Sequence, residues 1–154
     1  MIGFPNPVNE KAARVVAAGV VLMAVTAIAF ELEWLLIVIA LGFLARVLTG
    51  PKLSVLGQLA TKVVAPRLGE PKYVPGPPKR FAQAMGLTMS TAAVVLYFVF
   101  DAPAAAWVVT GVLAGAATLE SVVGLCLGCK VFAVLMRAGL VPEATCERCV
   151  NLTA

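Results

Sequence analysis

Residues 101–137 read DAPAAAWVVTGVLAGAATLESVVGLCLGCKVFAVLMR, and how this run is housed decides the fold. Between Asp101 and Lys130 the one charged side chain is Glu120. A helix on the surface of a soluble protein buries a single stripe and turns polar residues to water elsewhere; this run has no polar stripe. It is also too long for one straight crossing, since thirty-odd residues of helix measure about 50 Å against roughly 30 Å of bilayer hydrocarbon. The segment is therefore expected to span a membrane over 103–127 and then bend, with a helical extension to about residue 138. Gly124 and Gly128 are the expected places for the bend. They also form a small-xxx-small pair, as do Gly111 and Gly115, a spacing that permits close approach of neighbouring helices.

Working outward, the rest of the chain has the same character. Of 154 residues, 61% are hydrophobic and 13% charged. A soluble domain of this size needs far more polar side chains to cover its surface, so the excess points to a bilayer. Three further apolar runs lie upstream of the first. The expected spans are 12–30, 33–49 and 81–100, giving an all-α polytopic membrane protein with four transmembrane helices in one domain. Asn6-Pro7 suits the start of the first helix, with Asn as cap and Pro at the first helical position. Lys11 and Arg14 before an apolar core, with Ala27-Ile28-Ala29 after it, also resemble a secretory signal; the expectation is that the segment is kept as a helix. Glu31-Leu32-Glu33 and Asp101-Ala102-Pro103 mark two turns.

Residues 52–65 carry Leu53, Leu56, Leu59, Ala60 and Val63 at helical spacing, which describes an amphipathic helix lying in the interface and stopped by Pro66. After it, EPKYVPGPPKR holds Pro71, Pro75, Pro77 and Pro78 and is expected to be an extended strap without a ladder of hydrogen bonds. With four spans, all twelve Lys and Arg fall on one side or at the helix ends facing it, while the opposite turns carry Glu31, Glu33 and Asp101. The positive-inside rule then puts both termini in the cytoplasm. The net charge of +4 suits an anionic membrane surface. It does not suggest nucleic acid, because no aromatic platform interleaves the basic residues.

All four cysteines sit in the last quarter as two CxxC pairs, Cys126/Cys129 and Cys146/Cys149, the second pair in a tail over 139–154. In a reducing compartment such pairs point to metal binding or thiol chemistry rather than to permanent disulfides. The C-x2-C-x16-C-x2-C spacing falls in the range of a four-cysteine zinc site, with Cys126, Cys129, Cys146 and Cys149 as the ligands. Redox or sulfur chemistry instead needs a stabilised thiolate. An unbroken helix would put Cys126 and Cys129 at its negative end, which opposes this. A break at Gly124 would make Cys126 the first residue of a new helix, with Lys130 nearby. The tail pair could then exchange with the membrane pair through a mixed disulfide. The unreactive alternative is that Cys126 and Cys129 pack as small apolar residues.

Glu120 is the other residue that needs an account, because an ionisable group at membrane depth is costly unless paired, protonated or facing water. Arg46 is the expected partner, either as a fixed helix contact or beside a proton-handling carboxylate; the other expectation for Arg46 is that it snorkels to the nearer surface. With no histidine in the chain, there is no imidazole for general-base work or haem ligation. No Gly-rich phosphate loop or Ser/His/Asp set is visible.

The segments FPNPVNEKAAR, ARVLTGPKLSVLGQLATKVVAPRLG, PPKRFAQAMG and GLCLGCKVF, in this order around the apolar runs, resemble the bacterial integral membrane family of domain of unknown function 4395. The resemblance covers nearly the whole chain. It implies four helices, a distant likeness to the DoxX and DoxD group associated with thiosulfate and thiol metabolism, and association with thioredoxin-like or rhodanese-like proteins. The tail CERCVNL looks like the actinobacterial form. The expected function is a membrane thiol protein exchanging electrons or sulfane sulfur with such a soluble partner. Cys126, Cys129, Cys146 and Cys149 would be the reacting groups, with Glu120 as proton carrier. The alternatives are a non-catalytic scaffold with a structural zinc, and a transporter of soft metals or small sulfur species. Expected partners are the lipid bilayer, the soluble protein and, as an open option, a second copy of this chain.

Overall fold

The structure, a computed structural model, describes residues 8–49, 55–70, 73–74, 76–124 and 127–140. Its first long helix, α1 (Glu10–Phe30), starts one turn later than Asn6-Pro7 suggests, because Asn9 is the cap: its Oδ1 accepts from the Lys11 N–H at 3.0 Å. Glu10 in the first turn complements the helix dipole. The helix ends where Glu31 adopts a left-handed φ of 52° and its N–H returns to the Ala27 carbonyl. The chain reverses through Glu31–Glu33 into α2 (Trp34–Thr49), which buries Leu35, Leu36, Ile39, Phe43, Arg46 and Thr49 on one stripe.

The segment expected as an interfacial helix is helical but irregular. It comprises α3 (Val55–Leu59), a π-turn (Ala60–Val64) and a 3-10 turn (Ala65–Leu68). Pro66 does not end it, since the 3-10 turn accepts proline near its start, and the chain leaves helix at Gly69 with φ 99°. Its buried positions, Ala60 and Ala65 with Leu56, pack on Ala12 and Val16 of α1, whereas Leu59 and Val63 face outward. Leu53 lies outside the described residues. The strap is not free of a ladder: β2 (Tyr73–Val74) pairs antiparallel with β1 (Val8–Asn9).

Helix α4 (Gly76–Phe98) begins five residues before the expected position, with Pro77 and Pro78 in its first turn. That is where proline costs least, because the first N–H groups of a helix have no intrahelical partner. After the turn at Asp101, α5 (Pro103–Thr118) runs into a π-turn (Leu119–Val123), and α6 (Leu127–Arg137) follows. Ala17, Val20 and Ala24 of α1, Ile39 and Phe43 of α2, and Leu113, Ala114 and Ala117 of α5 form the central core, with Leu87 and Met89 of α4 against it. Buried hydroxyls return to their own helices: Ser90 Oγ donates to the Gly86 carbonyl and Thr110 Oγ1 to that of Ala106, both at 2.8 Å.

Many large apolar side chains face outward. Leu22 is 70% exposed, Leu41 59% and Val108 67%, values that water would penalise and lipid would not. Three helices, Glu10–Phe30, Pro78–Phe98 and Pro103–Val123, are long and apolar enough to cross a membrane; Trp34–Thr49 is apolar but shorter. Among the described residues nothing lies within 4 Å of where a Cβ on Gly111 or Gly115 would stand, and both glycines are exposed.

Candidate functional site

At Gly124 the run from Pro103 breaks. The π-turn carries the helix through Val123, and Gly124 then takes a left-handed φ of 78° while its N–H donates to the carbonyls of Glu120 and Leu119. This conformation costs little without a Cβ and ends helices for that reason. Of the two glycines expected to bend the chain, Gly124 does so. Gly128 lies inside α6 and serves another purpose: a Cβ there would collide with the backbone of Ala82. That close approach seats α6 on the first turns of α4, where Phe132 and Met136 are buried with Phe81 against them, and the Phe81 and Phe132 rings meet at 5.7 Å.

The break places Cys129 as the third residue of α6, partly buried. The N-terminal turn of a helix favours a thiolate through its unpaired N–H groups and dipole; Lys130 beside it is exposed. Cys126, Cys146 and Cys149 lie outside the described residues. Among the described residues no three metal-binding side chains gather, and a tetrahedral zinc site would draw three of its four sulfurs from outside them.

Glu120 sits in the π-turn, and its direct partner is Lys79 rather than Arg46. Lys79 Nζ donates to Glu120 Oε1 at 2.6 Å, with the two side chains 6% and 15% exposed. Arg46 does not snorkel either. It is 4% exposed, its Nε donates to Gln83 Oε1 at 3.0 Å, and its guanidinium lies 4.6 Å from the centroid of the Phe43 ring. Glu120 acts on it electrostatically. The result is a polar knot in which α4 supplies Lys79 and Gln83, one turn apart, between the carboxylate of the π-turn and the guanidinium of α2. Lys79 had no signal of its own in the sequence, because four prolines made its neighbourhood look like a strap. Ala82, the seat of Gly128, is one turn along α4 from Lys79, so the knot and the start of α6 share one end of the bundle.

A family-wide sequence model matches residues 8–137. The chain belongs to the family described as Domain of unknown function (DUF4395). The DUF4395 match takes in every described element from β1 to α6, and with them Glu120, Cys126 and Cys129, while Cys146 and Cys149 lie beyond it. No curated protein and no solved structure matches the chain.

Proposed function

We propose that this DUF4395 protein is a four-span thiol protein of the bacterial cytoplasmic membrane, exchanging electrons or sulfane sulfur with a soluble thioredoxin-like or rhodanese-like protein through Cys126/Cys129 and Cys146/Cys149. The observation that carries this reading is the break at Gly124, which starts a new helix with Cys129 in its first turn. An unbroken helix would have put the same residue near a negative dipole end, where a thiol is a poor nucleophile.

Three features support the setting. The fourth span is α2, whose 16 residues measure about 24 Å, a shortfall that local thinning of the bilayer absorbs at modest cost. The bundle end that carries Cys129 also gathers Lys11, Arg14, Arg46, Lys79 and Arg80, and Lys11 and Arg80 cap the Leu68 and Val47 carbonyls. Positive charge at that end fits a cytoplasmic face. The Lys79–Glu120 pair sits within the same end, a proton station for a dithiol that must lose protons to attack.

Exchange runs by attack of one thiolate on a partner disulfide, giving a mixed disulfide that the second thiol of the pair resolves with release of the reduced partner. With a persulfide partner the same thiolate takes the outer sulfur, leaving the partner's thiolate. The test is trapping: a thioredoxin-like protein lacking its resolving cysteine is mixed with the oxidised full-length protein in nanodiscs. A mixed disulfide that forms with the intact protein and is lost when all four cysteines are replaced by serine supports the reading, and serine in one pair at a time shows which pair meets the partner. No adduct with either partner class, together with thiols that react only after a chelator is added, would replace it by the zinc scaffold.

A further inference from the structure

The end of α5 is held by a residue from the other end of the sequence. Arg14, on α1, donates Nε to the Ser121 carbonyl at 3.2 Å and Nη2 to the Val122 carbonyl at 2.9 Å. These are among the last carbonyls before the break, at the end of a helix where carbonyls run out of regular intrahelical donors. At membrane depth such acceptors must find partners inside the protein. The rest of the guanidinium lies alongside the break: its carbon and Nη1 are 3.8 Å from where a Cβ on Gly124 would stand, as is Glu10 Oε1. Glu10 is one turn before Arg14 on α1, so an acidic and a basic side chain together wall the left-handed residue.

We infer that Arg14 is a positioning residue for Cys129: its two hydrogen bonds hold the helix broken at Gly124 and so fix where α6, with Cys129 in its first turn, begins. This deepens the thiol reading and rests on it for its purpose. The planar fork of the guanidinium is what lets one side chain serve two successive carbonyls. A lysine keeps the charge but presents a single rotating ammonium. Without the fork, the carbonyls of Ser121 and Val122 are best satisfied by N–H groups further along the chain, that is, by winding the break into continuous helix. Cys129 would then leave the first turn.

The test needs no redox partner, so its failure is distinct from failure of the exchange reading. In the full-length protein in nanodiscs, with Cys126, Cys146 and Cys149 replaced by serine, the rate of alkylation of Cys129 by iodoacetamide is followed as a function of pH. Arg14→Gln is expected to slow alkylation at neutral pH about two- to fivefold, the size of a first-turn dipole effect on a thiolate, and to move the midpoint of the profile to higher pH. Arg14→Lys is expected to behave like Arg14→Gln. Gly124→Ala, which penalises the left-handed break directly, should do the same and serves if the Arg14 variants do not fold. A profile unchanged in Arg14→Gln, or a wild-type profile in Arg14→Lys, would overturn the inference, the second by assigning the effect to charge alone.

Discussion

Lys79 and Glu120 together put a formal ion pair where neither member alone is tolerable. Removing one partner of a buried pair leaves an uncompensated charge and costs about 3–5 kcal/mol, whereas removing both costs much less. Lys79→Met is therefore expected to destabilise the protein strongly in detergent unfolding, and adding Glu120→Gln to it should recover most of the loss; strict additivity of the two single changes would show that the pair is not coupled. Gly128 gives a second expectation. Gly128→Val drives a branched side chain into the Ala82 backbone, with overpacking of about 1–3 kcal/mol, so α6 should lift from α4 and Cys129 should alkylate faster in native protein. At this scale the sequence was readable where a residue stood out against its neighbours, as Glu120 does in its apolar run and Gly124 does before the cysteines. It was opaque where the answer is a partner far along the chain. Nothing local to Lys79 or Arg14 announces a carboxylate 41 residues away or carbonyls more than 100 residues away.

Among the elements, the long apolar helices were legible because their ends are marked by charge and proline: Glu31–Glu33 after α1, and Asp101 with Pro103 before α5. The start of α4 was not, because four prolines in one stretch point to extended chain, whereas proline excludes only the helix interior and Pro77 and Pro78 stand in the first turn. The interfacial segment shows the opposite limit. Its helical period was visible, but of the expected large apolar residues among those described only Leu56 meets α1, together with the small Ala60 and Ala65, while Leu59 and Val63 face outward. A different residue from the expected one caps α1, and this has a measurable consequence. Asn9→Ala should lower stability by about 1 kcal/mol through loss of its bond to the Lys11 N–H, read as a fall in melting temperature of the detergent-solubilised protein.

For the whole molecule the proposed orientation makes a direct statement about access. In a variant with its native cysteines replaced by serine, a cysteine placed at Asp101 should react with an impermeant maleimide added to spheroplasts, and one placed at Lys62 should react only after permeabilisation; the reverse pattern would invert the assignment and expose the CxxC end to the outside. The all-α class, with three helices long and apolar enough to cross a membrane, was legible from hydropathy, whereas the folding back of α6 onto α4 was not, because it depends on one glycine meeting one alanine. The small ladder between Val8–Asn9 and Tyr73–Val74 sets an order of events during synthesis. Half the chain must leave the ribosome before the arm has anything to pair with, so the first hairpin enters the translocon with its leading end untied. Only when residue 74 emerges can the opening circuit be closed, and the second hairpin then arrives at a bundle whose rim at the start of α1 is already drawn together.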